Sequence, residues 1–418
     1  MSTYYVRTSG SDSADGLSPA NAWETVGKAR DTVGDNDIVY IGPGDYSSEE
    51  LYIAANRTGQ SWLGDPKGSV TGDVAGEIRI KCIYDNGNDW TDTIFRYIHL
   101  TGGCPAADSA YSLVIKELES GPITVDKCIL ERALKLSFRD AKTVTNCVIN
   151  LSTQDAYSCY IRNNSTDTDS QENYIENNVI YQGYPGDYAA LYCWDASGNA
   201  EFILKWYIRN NIIHQTPGPP VYFIHLLGWA DDLYNGYTDW NLDYNFFEYT
   251  GLFGRWQQTG YNGAPTFDYM YDTLTEWQAV GFGASSLEGD PTFDSDGYHV
   301  LKSSPCINAG VNTGHVQDID GNIRPIGDYD IGAHEFQPSA AIYGESLSKF
   351  CMSRSTVQVG TALEALLRAV YLTGTWQGFL GLNTFNQNVL IGSNEIKKHN
   401  FWNKVISYNL VFNPGDYV

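Results

Sequence analysis

The stretch Tyr174-Ile-Glu-Asn-Asn-Val-Ile-Tyr-Gln182 recurs as Tyr207-Ile-Arg-Asn-Asn-Ile-Ile-His-Gln215, at an offset of 33 residues. A second pair, Val125-Asp-Lys-Cys-Ile129 and Val144-Thr-Asn-Cys-Val148, repeats at an offset of 19. Strand-like motifs that return at variable offsets describe a solenoid, in which loops of different length leave otherwise equivalent coils. The expected fold is therefore all-β, a right-handed parallel β-helix. The Asn pairs are expected at its corners, where Asn tolerates left-handed backbone and can hydrogen-bond along the stack. A β-sandwich also has many short strands, but it would show hairpin turns and polar/apolar alternation instead of recurrence at coil-like intervals. At roughly 20–30 residues per coil, residues 70–300 would hold on the order of ten coils, about 50 Å of stacked strands.

Outward from that core, residues 1–69 read as a strand, a cap and the first coils. The turn Gly10-Ser-Asp-Ser-Ala-Asp-Gly16 precedes a segment with Trp23, Val26, Ala29 and Val33 at helical spacing. A short amphipathic helix there would cover the open edges and apolar interior of the first coil. The body then extends over 70–336 with a closing motif. From 337 to 418 the character changes. Gln337-Pro-Ser-Ala340 suits a linker, and Thr361-Ala-Leu-Glu364 suits a capping box before a helix carrying Leu363, Leu366, Leu367 and Val370. This small C-terminal α+β module is expected to anchor the chain or drive assembly.

Aromatics make up 14% of the 418 residues, including 30 Tyr and 11 Trp, and 41 Gly supply turn chemistry, so the composition is that of a folded β protein. The formal charge of −24 offers no phosphate-neutralising surface and argues against a nucleic-acid partner. It also disfavours acidic polysaccharides and leaves neutral glycans or proteins. No apolar run has the length of a membrane span, and the N-terminus lacks a basic start and an apolar core, so export by the general route is not expected. Cys82, Cys104, Cys128 and Cys147 fall about one coil apart and are expected as stacked, inward, reduced thiols. No Cys/His spacing suggests a metal site or cofactor.

Three stretches carry a family resemblance. The first is Tyr5-Val-Arg-Thr-Ser-Gly10-Ser-Asp12 with Gly16, Trp23, Asp37-Ile-Val-Tyr40 and Pro43-Gly44-Asp-Tyr46. The second includes Leu274-Thr-Glu-Trp277, Asp290-Pro291-Thr-Phe293 and Ser304-Pro-Cys-Ile-Asn-Ala-Gly310. The third is Asp318-Ile-Asp320-Gly321, Arg324-Pro325, Gly327 and Asp330-Ile-Gly332-Ala-His-Glu335. In this order they resemble the pectate-lyase-like superfamily of parallel β-helix proteins over residues 4–336. The resemblance implies fold and structural roles for these residues, and on a physical reading Asp320 with Arg324, and Gly321 with Gly327, suit a hydrogen-bonded terminal turn. It carries over no catalytic residue.

Enzymes on this fold commonly cleave polysaccharides along one solenoid face. Glycoside hydrolysis needs two carboxylates, about 5–5.5 Å apart for retention or about 6.5–9.5 Å for inversion, and coils spaced at roughly 4.8 Å can supply either. Asp231 and Asp232 cannot serve as a pair within one strand, because neighbours face opposite ways. One of them with Asp187 or Asp195 from an earlier coil is geometrically possible. A lyase would need a base such as Arg162 or Arg209 with an acidic trio for calcium, and no such trio stands at recognisable spacing. His214 and His225 lie in apolar surroundings and suit packing.

Trp194, Trp206, Trp229, Trp240 and Trp256 cluster within a short span among many Tyr and suit stacking on sugar C–H faces. Large aromatics also fill wide coils and subunit interfaces, so exposure decides between the roles. At the level of architecture, bacteriophage spikes and fibres resemble this chain, often as trimers that bind or degrade host-surface glycans. The expected function is accordingly a virion structural or host-attachment protein, assembled in the host cytoplasm as a homo-oligomer. It would bind host-surface glycan and contact other virion proteins through its C-terminal module. A polysaccharide-degrading enzyme and a secreted bacterial adhesin are the alternatives.

Overall fold

The structure is a computed structural model. It describes residues 1–53, 55–105, 108–116, 120–138, 140–151, 158–163, 171–182, 189–195, 203–215, 223–231, 236–249, 251–259, 265–337, 389–391 and 394–396. Two compact units divide at Phe336/Gln337. In the second unit, Val389–Ile391 pairs antiparallel with Asn394–Ile396. The expected helix after Thr361 lies outside the described residues.

The first unit is a parallel β-helix of about six complete turns, each contributing a strand to three sheets. In the first sheet, Thr3–Val6, Ile38–Ile41, Ser61–Gly64, Thr93–Arg96, Ile123–Asp126, Lys142–Thr145, Gln171–Glu176, Ile203–Arg209 and Gly236–Asp243 stack in parallel register. The second sheet runs from His99–Leu100 to Leu287–Glu288 through short strands such as Val148–Ile149, Val179–Gln182, Ile212–Gln215 and Phe246–Glu248. The third stacks Gly44–Tyr52, Ile78–Tyr84, Tyr111–Ile115, Ala133–Phe138, Cys159–Asn163, Leu191–Asp195, Ile224–Asp231 and Gly254–Thr259. Facing hairpin sheets are not the plan.

The stack holds fewer coils than expected, and the nine strands of the first sheet span about 40 Å at roughly 4.8 Å per layer. The reason is coil length. Connections beside the third sheet lengthen from 131–132 and 139–141 in one coil to 150–158 and 164–170 in the next, and stay long through 216–223.

A two-residue corner between the first and second sheets fixes the repeat. Its first residue is left-handed in successive coils: Tyr97, Lys127, Asn146, Asn177, Asn210 and Tyr244 all have φ between 52° and 57°. The second residue points inward and is buried: Ile98, Cys128, Cys147, Asn178, Asn211 and Asn245. The asparagines form a ladder. Asn178 Nδ2 donates to Asn211 Oδ1 at 2.9 Å and Asn211 Nδ2 to Asn245 Oδ1 at 3.0 Å, while backbone N–H groups of Cys147, Asn178 and Asn211 donate to the next Oδ1. Buried amides are thereby satisfied by identical neighbours, the role expected of the Asn pairs. Cys128 and Cys147 occupy the same column as reduced thiols. Cys82 and Cys104 do not; they pack together with Val114 outside it. The coil beneath Cys128 places Ile98 in the column, so near-coil spacing of the cysteines was coincidence for two of the four.

Aliphatic and aromatic side chains fill the interior from Val6 to Trp277 as one core. At its start, helix Val26–Thr32 places Val26 and Ala29 in that core, shorter than the expected helical segment because Trp23 instead bridges to Val6. Asp12 accepts from the N–H groups of Glu24 and Thr25, and Trp23 Nε1 donates to Ala14 O. Gly16 (φ +72°) is needed here, since a Cβ would lie 2.5 Å from the Trp23 ring. At the far end, Pro265–Tyr271 pairs antiparallel with Gly254–Thr259, and helix Leu274–Ala279 buries Trp277 over the last coil.

Residues 290–336 do not form a closing coil. They fold back along the outside of the second sheet. Val148, Val179, Ile212 and Phe246 project outward there and are buried by Val300, Cys306, Ile319, Ile331 and Ala333. Polar contacts descend the corner column: Asn210 Nδ2 to Val311 O at 2.7 Å, Asn177 Nδ2 to Thr313 Oγ1 at 2.9 Å, and Lys127 Nζ to Gln317 Oε1 at 2.9 Å. Asp290 and Pro291 build the entry turn, accepting from Thr292 N and Ser304 Oγ. Asp320 and Arg324 are not partners. Arg324 Nε lies 3.0 Å from Glu335 Oε2, both fully buried, and Nη2 donates to Gly332 O. Asp330 accepts from the N–H groups of Asn308 and Phe336. Gly332 (φ +107°) donates to Asn210 O, and a Cβ would strike Ile212 at 2.7 Å. Gly321 (φ +77°) turns the segment beside Tyr97.

Candidate functional site

Once the second sheet is strapped, the third sheet keeps an outer face whose side chains follow from strand parity. In Cys159–Asn163 and Leu191–Asp195 the residues Cys159, Ile161, Leu191 and Cys193 face inward and are fully buried. Tyr160, Arg162, Tyr192 and Trp194 therefore face outward, and the next coil adds His225 in register with Tyr192 and Arg255 beyond it. The rings are organised. Tyr160 and Tyr192 stack at 5.1 Å with planes 16° apart, His225 meets Tyr192 edge-on at 4.8 Å, and the Arg162 guanidinium lies 3.8 Å from the centre of the Trp194 ring. Each such cation–π contact is worth about 0.5–1 kcal/mol at an exposed site.

Most of the charges on this face stand beside a partner. Arg255 is held by Asp268, with Nε to Oδ1 at 2.8 Å, and that hydrogen bond keeps the Asp268 carboxyl below its ordinary range. Lys116 and Lys135 approach Asp108. Burial, reinforced by the charge on Arg255, lowers the His225 pKa to about 4, so the ring is neutral at pH 7. Burial raises the Tyr160 phenol against the opposing pull of Arg162. Such a surface combines ring edges, phenol hydroxyls and a stacked guanidinium, and it can hold a polar ligand through hydroxyl contacts with no net charge on that ligand.

The first sheet carries a smaller patch. Tyr174 and Tyr207 stack at 4.9 Å, and Glu172 takes hydrogen bonds from Tyr174 and, at 3.4 Å each, from Tyr207 and Lys205. These contacts lower the Glu172 pKa, Tyr174 contributing most.

The expected site residues separate by parity. Trp194 belongs to the outward-facing set of the third sheet and is half-buried. Trp206 does not: it is fully buried in the core and stacks on Trp240 at 5.3 Å, because Leu204, Trp206 and Ile208 alternate inward. Trp240 packs against the same core, as does Trp256, which meets Phe282 edge-on. Trp206 therefore has no ring face to offer a sugar, while Trp240 and Trp256 are half-buried with part of each ring against the core. Trp229 lies on the strand Ile224–Asp231, opposite Thr259. Asp195 ends its strand opposite Asn163, and Asp231 faces Gly236 across a short antiparallel pairing, two separate positions with no shared register. Asp187 and Asp232 lie outside the described residues. Arg209 is tied to Glu176 at 2.5 Å on the first sheet and His214 to Glu248 at 2.5 Å, so Arg209 is no free base. Tyr160, Tyr192 and Arg255 were absent from the expected binding set, although the alternation Cys-Tyr-Ile-Arg and Leu-Tyr-Cys-Trp in sequence already sets the two tyrosines outward.

Away from this face, ligand atoms of His299, Asp320 and His334 lie within 4.8 Å of one another, the one such group among the described residues. It had no counterpart in the spacing of the sequence. No described helix is long and apolar enough to cross a membrane. Compared with known proteins, the chain matches no protein-family model and no curated protein.

Proposed function

We propose that this protein is a glycan-binding virion surface protein, a spike, fibre or decoration component that attaches to host-surface polysaccharide through the outer face of the third sheet. One observation carries the reading. In the coils where the flanking connections lengthen, this face bears Tyr160, Arg162, Tyr192, Trp194 and His225 where the second sheet bears Val148, Val179 and Ile212. Aromatic rings with hydroxyl and guanidinium groups on a rigid scaffold suit sugar recognition, and the acidic chain favours a neutral glycan. The pectate-lyase-like and phage assignments rest on the resemblance of the motifs and architecture. They add homotrimeric assembly, with the C-terminal unit at 337–418 as the contact to other virion proteins.

The test is a glycan panel and host-envelope binding assay on the full chain, with light scattering for its oligomeric state. Trp194→Ala is expected to weaken glycan binding at least tenfold, about 1.4 kcal/mol. A monomer that binds no envelope material would overturn the proposal. Release of reducing ends or unsaturated products from the panel would replace it with a depolymerase.

A further inference from the structure

We propose that His299, Asp320 and His334 form a binding site for a divalent cation of the zinc class, which pins the returning segment 290–336 to itself. All three residues belong to that segment and come from separate turns of it. Two imidazole nitrogens and one carboxylate oxygen make a donor set suited to Zn²⁺ or Co²⁺, with a water completing a tetrahedron.

The geometry is close to a coordinating one. Metal–ligand bonds of about 2.0–2.2 Å put ligand atoms roughly 3.3 Å apart. Here the three lie within 4.8 Å of each other, and His299 Nε2 already stands 2.6 Å from Asp320 Oδ2. Asp320 is 40% exposed, so its carboxylate has room to turn. Asp296 bonds the other nitrogen of His299, Nδ1, and so fixes the ring with Nε2 toward the site. A carboxylate behind a ligating imidazole is the usual support of such a centre.

His334 supplies the independent sign of a missing ligand. It is 8% exposed, its ring packs edge-on to His299 at 4.4 Å, and its Nδ1 is buried without a hydrogen-bond partner. A buried ring nitrogen left unpaired is destabilising until a ligand satisfies it.

The experiment strips the full-length protein with a chelator and titrates it with Co²⁺, following visible absorption and binding heat. The expected result is one Co²⁺ per chain with tetrahedral absorption bands, displaced by Zn²⁺. Asp320→Asn and His334→Gln should each weaken uptake more than tenfold. Asp296→Asn should weaken it about tenfold to hundredfold through the orientation of His299. Asp320 is exposed, so its variant keeps the fold, to be checked by circular dichroism, and remains decisive if His334→Gln does not fold. Absence of stoichiometric uptake, or uptake that Asp320→Asn leaves unchanged, overturns the site and assigns any residual binding to the acidic surface.

Discussion

The second and third sheets share a backbone but not an outer surface. On the second, Val148, Val179, Ile212 and Phe246 project outward and are sealed by the segment 290–336. On the third, Tyr160, Arg162, Tyr192, Trp194 and His225 occupy the outward positions. A parallel β-helix buries one side of every strand by construction, so the free choice lies in the other side. Aliphatic residues there demand a cover, whereas amphipathic rings and cations tolerate water and leave the surface open to a ligand. The difference makes one face a structural seam, and the other is the surface on which the glycan-binding proposal rests.

The sharpest way to break the seam is its buried ion pair. Arg324→Ala removes the cation beside Glu335, with both groups fully buried, and leaves a carboxylate among Asp318 and Asp330. Breaking a buried pair in this way costs about 3–5 kcal/mol. Urea denaturation should show that loss, and limited proteolysis should cut first within 290–336. Unchanged resistance of that segment would mean the apolar contacts alone hold it.

A smaller effect separates the faces by pH. His225 has its pKa lowered to about 4, from burial first and Arg255 second, against about 6.5 in an unfolded chain. A depressed folded-state pKa means the neutral ring is favoured by folding. Its contribution is full above pH 6.5 and is lost as pH falls toward 4. Allowing for partial exposure, about 2 kcal/mol is at stake. Urea midpoints at pH 7 and pH 4.5 should differ less in His225→Asn than in the parent chain. An equal difference would place the acid sensitivity elsewhere.

Much of the fold was legible because the corner repeats in sequence. Asn177-Asn178 and Asn210-Asn211 combine a left-handed position with an inward amide, and two copies suffice to infer the ladder. The path of 290–336 was not legible. Its turns are held by Asp, Ser and Gly with no period, and its partners lie up to 190 residues away in sequence, as Lys127 and Gln317 do. Composition also misled on the tryptophans. Leu204-Lys-Trp-Tyr-Ile208 states by its alternation that Trp206 faces the core, while Leu191-Tyr-Cys-Trp194 states that Trp194 does not. Density of aromatics signals neither; parity does. The His299, Asp320 and His334 group escaped because folding alone brings it together.

The mildest prediction tests that parity directly. Trp194 lies outward on the third sheet, and its main described partner is the Arg162 guanidinium at 3.8 Å. Truncating it to Ala removes a cation–π contact worth about 0.5–1 kcal/mol and opens no cavity in the core. Trp206, inward on the first-sheet strand Ile203–Arg209, fills space beside Trp240, and its truncation should cost about 3–5 kcal/mol. Thermal or urea unfolding of Trp194→Ala should therefore fall within about 1 kcal/mol of the parent. A loss as large as that of Trp206→Ala would show that Trp194 is a packing residue, and the open face would lose its anchor for a ligand. A near-silent stability change with weakened glycan binding would separate the two roles, because a ring retained on a wet surface without structural need is explained by what it touches from outside.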